Sequence, residues 1–405
     1  MLDAEFVLTR GVAEILPSKD ALKRLMDKRK ITLYQGFDPS SPNLHLGNLI
    51  GIRKLAQFQK LGHKVIFLIG DFTGMIGDPT DKKAARKKLT KKQVIENAKD
   101  YRNQIEKILT FDGENKAELK YNSNWLSKLN FEDVVELASN FTTQQMLERD
   151  FFQLRLKKQK PIYLHEFLYP LMQGYDSVAM NVDLEIGGND QLFNMIAGRS
   201  LIKSLKNKEK YVLTMKLLTD TSGEKMGKSI GNVININDNP AIIYRAILKL
   251  PEELLPLAIE LLTDLPIDLV NSNLQQARID LAFSVVSQLF GEREANLARN
   301  ETVHRFREGL PTTGDVELPE PSIQKTVSGT ISLASGYPGQ NQLKSMRTGS
   351  ISDAKRLINQ GAVTLIKENV QTKLEKDEKT ETLKIKAGDF IRVGESIIAV
   401  VKDIK

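Results

Sequence analysis

The sequence predicts an α/β protein built on an open parallel sheet, followed by a small all-helical segment and a small α+β unit. Two observations place the sheet. Residues 31–37 are a β-prone run, 48–61 have helical character, and 64–69 are a short apolar run with β-branched residues. A helix between two short strands at this spacing is a βαβ unit, which makes the strands parallel. Residues 182–186 followed by 190–205 repeat the strand-to-helix order. In such sheets ligands bind beyond the carboxyl ends of the strands, so chemistry is expected near 36–48, 70–80 and 187–191.

A third observation is the change of texture after Asn239. Asn239 and Pro240 give a cap and a first-turn proline, with Ile243, Ile247 and Leu250 at helical spacing behind them. Leu274, Ala277, Leu281, Val285 and Leu289 form another stripe, and a third helix is expected to end near Gly309. The Pro/Gly/Ser/Thr-rich stretch that follows reads as a linker. At the end, 352–360 reads as a short basic helix stopped by Gly361, with β-like runs at 362–366, 382–385 and 397–401. The expected division is therefore 1–235, 236–310 (helical), 311–340 (linker) and 341–405.

Bulk properties narrow the function. The 405 residues are 41% apolar and 27% charged, as in an ordinary globular protein. There is no cysteine, which excludes disulfides and thiolate metal sites. His45, His63, His165 and His304 do not cluster, so no tightly bound metal is expected. No apolar run approaches the ~18 residues of a membrane span, and the start lacks a secretory pattern, so a cytoplasmic location is expected. The net charge is +7. Lys82, Lys83, Arg86, Lys87, Lys88, Lys91 and Lys92 form one basic patch, and Arg149, Arg155, Lys157, Lys158 and Lys160 another. Such patches suit phosphate attraction or a solvated helix face.

Two motifs carry chemistry. The segment from Tyr34 to Asn48 leaves a strand and enters a helix, whose unpaired N–H groups attract phosphate. His45 and Asn48, three apart, lie on one side of the first turn, and Gly47 lets a ligand approach the backbone. The second is Lys225, Met226, Gly227, Lys228 and Ser229: two lysines with a serine and flexible glycines, suited to closing on a polyphosphate. It is not a P-loop, because three residues instead of four separate Gly223 from Gly227. Tyr169, Gln173 and Asp176 share one face if 164–180 is helical.

In this order the two motifs resemble the HIGH and KMSKS signatures of class I aminoacyl-tRNA synthetases. LYQGFDP at 33–39, IGDPT at 76–80, YPLMQGYD at 169–176 and GGNDQ at 187–191 resemble the tyrosyl enzymes. The resemblance implies a Rossmann-like catalytic domain, ATP carried with Mg²⁺, L-tyrosine and tRNA(Tyr) as substrates, and a homodimer. It implies that Tyr34 and Asp176 bind the substrate phenol, and that Asp78, Tyr169 and Gln173 hold its ammonium. Gly36, Asp38, Gly188, Asp190 and Gln191 fall to the ribose and adenylate end, with Gln191 also near the substrate carboxylate. Met226 and Gly227 fall on the ATP loop, and Lys82 and Arg86 on a mobile loop. Ser40, His45, Asn48, Lys225, Lys228 and Ser229 would stabilise charge on the phosphates. The chain departs from the family pattern at Asn48, Ser40, Met226 and Gly227, where Asn and Ser keep hydrogen-bond donors. Residues 350–365 with 387–394 resemble the S-four-like RNA-binding module of bacterial tyrosyl enzymes. A tryptophanyl synthetase shares fold and motifs but is disfavoured by Tyr34 with Asp176; a non-catalytic RNA-binding relative is disfavoured by two nearly intact signatures.

Overall fold

A computed structural model of the chain describes residues 2–78, 89–219, 233–308, 314–316, 356, 358–360, 362–367, 370–374, 390–393 and 397–401. Its contacts group into two units, residues 1–238 with 250–281, and 239–249 with 282–405.

The first unit holds a six-stranded sheet in the order β1-β6-β5-β2-β3-β4. Its strands are β1 Val12–Leu16, β2 Thr32–Phe37, β3 Lys64–Ile69, β4 Glu118–Tyr121, β5 Leu184–Gly188 and β6 Tyr211–Met215. The helix Leu46–Lys60 joins β2 to β3, and Leu192–Lys206 joins β5 to β6, so both expected strand–helix–strand units are present. The four pairings among β2 to β6 are parallel. At one edge the sheet departs from the expected all-parallel form, because β1 runs antiparallel to β6. With one neighbour and a mixed burial pattern, this edge strand has little apolar periodicity to reveal it.

The parallel centre is buried on both faces. Tyr34, Ile66, Leu68 and Val182 form one cluster there, with Trp125 and Met180 packed against it. The helix Leu164–Met180, expected over those same residues, contains Pro170 and ends at Asn181 in the left-handed conformation. It packs on Leu192–Lys206 through a glycine contact. A Cβ at Gly174 would stand 3.2 Å from the Cα of Gly198, so the two backbones meet without side chains between them. That close approach fixes the depth of Tyr169, Gln173 and Asp176 relative to β5.

His63, at the turn into β3, gives the fold a pH dependence. It is 3% exposed, and its Nδ1 accepts the Ile31 N–H at 3.3 Å. Burial, with Lys30 adding to it, pushes the imidazole down to about 4. The folded state therefore binds this proton less readily than the unfolded chain. Its contribution is complete above about pH 6.5 and is lost as the pH falls towards 4, a difference of up to ~3 kcal/mol. Thermal melts of the wild type and His63→Gln, whose amide oxygen can still accept the bond, are expected to diverge across that window. The wild type should lose Tm more steeply on acidification, and parallel curves would exclude the role.

The second unit contains helices Pro240–Leu248 and Glu292–Glu308 and a five-stranded sheet. Asn239 caps the first helix by accepting the Ala241 N–H, with Pro240 at the opening position as expected. Arg245 pairs with the buried Glu301 at 2.9 Å. The sheet order is β7-β11-β10-β8-β9, with β7 Gly314–Val316, β8 Val363–Lys367, β9 Val370–Leu374, β10 Phe390–Val393 and β11 Ile397–Val401. Strands β8 and β11 match expected runs, whereas 382–385 lies outside the described residues. Within the stretch expected as linker, β7 pairs in parallel with β11.

Candidate active site

A cavity of about 210 Å³ opens at the carboxyl ends of the parallel strands. From β2 and its end come Tyr34, Gly36 and Asp38; Asn48 comes from the first turn of the following helix. Asp78 reaches it from beyond β3, Gln191 from the short turn after β5, and Tyr169, Gln173 and Asp176 from one helix face. Nine residues expected at four separate subsites thus line one space.

At one end, Asp176 is 3% exposed. Its carboxylate accepts the Trp125 indole N–H at 2.7 Å and the Asn122 amide at 3.2 Å. The Asn122 carbonyl oxygen takes the Phe72 N–H, so its NH₂ is left to face Asp176 and Thr73. Burial pushes the Asp176 carboxyl up, against the pull of these two donors. Tyr34 is fully buried, its hydroxyl 2.9 Å from that of Ser177. Burial pushes its phenol well above the usual range, so it remains a neutral hydroxyl.

The network continues across the cavity. Thr73 donates to Asp38 at 2.6 Å, and the Tyr169 hydroxyl donates to the other Asp38 oxygen at 2.7 Å. Asp38 sits where Gly70 leaves room, since a Cβ there would be 2.0 Å from Oδ1. Burial raises the Asp38 carboxyl to about 6, with Thr73 and Tyr169 opposing. A second chain runs from Asp78 to Gln191 at 2.6 Å, then through Asn194 to Gln173, which donates to Glu185 at 3.0 Å. These bonds hold Asp78, Gln173 and Gln191 in fixed orientations around one face of the cavity.

His45, Gly47 and Ser40 lie outside the cavity lining, as do Gly188 and Asp190. His45 occupies the N-cap of the Leu46–Lys60 helix, and its N–H donates to Asn48 Oδ1 at 3.0 Å. With that oxygen engaged, the Asn48 NH₂ remains as the donor of this turn. The expected role of Gly47 changes in kind. A Cβ there would lie 3.0 Å from the imidazole Cε1 and Nδ1, so the missing side chain makes room for the His45 ring. Gly47→Ala is expected to displace that ring and, on the role the resemblance implies for His45, to slow adenylate formation by about tenfold, the effect of a donor moved rather than lost, with tyrosine affinity unchanged. Single-turnover kinetics beside equilibrium dialysis check this.

Lys225, Met226, Gly227, Lys228 and Ser229 lie outside the described residues, as do Lys82 and Arg86. The backbone from Val233 onward meets the turn at His45. Leu46 donates to Ile234, Ile236 donates to Leu44, and His45 bridges Asn235. The exit of one signature is thus bonded to the turn of the other.

One expectation is corrected. Arg149, counted in a phosphate-attracting stretch, is only 6% exposed, and its guanidinium lies over the rings of Phe151 (4.4 Å) and Phe193 (4.8 Å). A flat, weakly hydrated cation stacks well on aromatic faces. Arg155 is paired with Glu166 at 2.8 Å. Only Lys157, Lys158 and Lys160 of that stretch are exposed.

Sequence reasoning missed Thr73, Asn122, Trp125, Ser177, Glu185 and Lys210. A signal existed for two of them. Ser177 continues the spacing of Tyr169 and Gln173 by one more turn, and Glu185 is a charge inside an apolar strand. It also missed Gln35, whose buried Oε1 has no hydrogen-bond partner beside the cavity that Gln35 helps to line.

The family model described as tRNA synthetases class I (W and Y) matches residues 26–306. A tyrosine–tRNA ligase of Carboxydothermus hydrogenoformans is 39% identical, covering 96% of each chain. One of Colwellia psychrerythraea is 42% identical over 90% of each. The structure of a C-terminally truncated mitochondrial tyrosyl-tRNA synthetase of Aspergillus nidulans superimposes with a TM-score of 0.65 at 22% identity. It covers 74% of this chain and 93% of its own, a likeness of fold. With a matching catalytic fold and nearly full-length relatives, the chain belongs to the tyrosine–tRNA ligase family of class I tRNA synthetases.

Proposed function

We propose that the cavity binds L-tyrosine and the adenylate end of ATP together, and that the enzyme forms tyrosyl-adenylate before charging tRNA(Tyr). The observation that carries this reading is the single cavity that gathers Tyr34 and Asp176 with Asp78, Gln173 and Asn48. A phenol hydroxyl fits between Tyr34 and Asp176. The α-ammonium fits Asp78, Tyr169 and Gln173, where a carboxylate gives a charge-assisted bond. Gly36, Asp38, Gly188, Asp190 and Gln191 fall to the ribose and adenylate end.

The tyrosine carboxylate attacks the α-phosphorus in line; the new C–O–P link forms as the bond to pyrophosphate breaks. A carboxylate is already ionised at neutral pH, so this step needs no protein base. The protein supplies positioning and donors for charge on the phosphate oxygens. Ser40, His45, Asn48, Lys225, Lys228 and Ser229 take that part, joined by Lys82 and Arg86, which follow Asp78 in the sequence. Magnesium enters on the triphosphate as part of the substrate. In the second step a terminal ribose hydroxyl of the tRNA adds to the carbonyl carbon, AMP leaves, and the hydroxyl proton is released.

The proposal extends to assembly. Six of the twelve exposed large apolar side chains among the described residues fall within 131–164, led by Phe131 (83%) and Leu164 (80%). Concentrated exposure of this kind suits a homodimer. Residues 1–235 are the catalytic part, 236–310 the helical anticodon side, 311–340 the connection, and 341–405 an S-four-like tRNA-binding unit with net charge +4, from 13 basic and 9 acidic residues. No described helix is long and apolar enough to cross a membrane, and the proposed location is the cytoplasm. ATP–pyrophosphate exchange with tyrosine, tryptophan and phenylalanine tests the reading. Only tyrosine should support fast exchange; preference for tryptophan, or no exchange, would overturn it.

A further inference from the structure

We infer that Ser177, held by the buried Glu185–Lys210 pair, is a positioning residue that aims the Tyr34 hydroxyl and so sets the preference for tyrosine over phenylalanine. The inference rests on the reading that Tyr34 meets the phenol of bound tyrosine.

The strand register places Tyr34 directly opposite Glu185. Ser177, with no exposed surface, stands between them. Its Oγ is 2.9 Å from the Tyr34 hydroxyl and 3.3 Å from Glu185 Oε2. Without substrate the Ser177 proton points to Glu185, which only accepts. A bound phenol that gives its proton to Asp176 accepts that of Tyr34, and Ser177 then turns its own proton to the Tyr34 oxygen, leaving Glu185 to Lys210 and Gln173.

Glu185 is itself anchored. Lys210, also with no exposed surface, pairs with Oε2 and donates to the Met195 carbonyl at 3.2 Å, while Gln173 donates to Oε1 at 3.0 Å. A Cβ on Gly198 would lie 2.6 Å from the Lys210 nitrogen and 3.0 Å from Ser177 Oγ. That glycine leaves the space in which ammonium and hydroxyl both reach Glu185 Oε2. A buried ion pair seldom adds stability over apolar residues of equal volume. Here the pair directs hydrogen bonds, which apolar residues could not do.

The test is a double-mutant cycle read on two substrates. kcat/KM for tyrosine and for phenylalanine is measured by pyrophosphate exchange in the wild type, Ser177→Ala, Tyr34→Phe and the combined variant. Loss of one directed hydrogen bond should lower the tyrosine-to-phenylalanine ratio of Ser177→Ala by about five- to tenfold, chiefly through tyrosine. Ser177→Thr, which keeps the hydroxyl, should restore it. No further fall is expected when Tyr34 is already phenylalanine. If Tyr34→Phe leaves the ratio unchanged, the reading of the phenol pocket fails. If Tyr34→Phe lowers the ratio but Ser177→Ala does not, or lowers it equally in both backgrounds, the positioning role is overturned.

Discussion

Asp176→Ala is expected to lower tyrosine-dependent pyrophosphate exchange by at least about 10³-fold, or ~4 kcal/mol. The wild-type carboxylate accepts Trp125 at 2.7 Å and Asn122 at 3.2 Å in a site with almost no exposure. Alanine leaves both donors, and the substrate hydroxyl, without an acceptor. Each buried group so stranded costs ~1–3 kcal/mol, and the sum divides between the fold and the bound substrate. Melting temperature should therefore fall as well. Asp176→Asn separates the two parts. Its carbonyl can still serve Trp125, but its NH₂ would face the Asn122 NH₂, donor against donor. Phenylalanine, which never used the carboxylate, should lose much less than tyrosine in both variants. Equal losses for the two amino acids would mean that Asp176 only holds the fold, and the phenol assignment would have to be abandoned.

The parts of this site legible in the sequence are those whose geometry is local. Tyr169, Gln173 and Asp176 were placed on one face by helical spacing, and the helix spans the residues that spacing required. Likewise β3 and the turn from Tyr34 to Asn48 followed from short apolar runs around polar segments. What stayed hidden depends on partners far apart in sequence. Asn122 reaches Asp176 across 54 positions, and Tyr34 reaches Ser177 across 143; no periodicity encodes such meetings. Composition also misled where chemistry was ambiguous. Arg149 reads as surface charge until Phe151 and Phe193 close over it. The edge strand β1 and the three-residue β7 escaped notice for a related reason: both take their structure from a neighbouring strand more than from their own pattern.

The turn that starts the Leu46–Lys60 helix yields the second large effect. His45→Ala is expected to slow adenylate formation by about 10²–10³-fold, the usual cost of removing one preorganised donor to developing charge. The dissociation constant for tyrosine should change little, because Tyr34, Asp176, Asp78 and Gln173 do not depend on His45. Asn48 permits a sharper comparison. Its Oδ1 accepts the His45 N–H at 3.0 Å, so the side chain both caps the helix and presents a donor. Asn48→Asp keeps the cap, and places a negative charge favourably at the helix N-terminus, but turns the donor into an anionic oxygen. Melting temperature should hold while adenylate formation falls below that of Asn48→Ala, in which nothing repels the triphosphate. Asn48→Ala should lose this capping-box bond as well, about 1 kcal/mol. This crossing of stability and rate is specific to a donor aimed at phosphate; if Asn48→Asp were the faster of the two, the turn would be capping itself and nothing more.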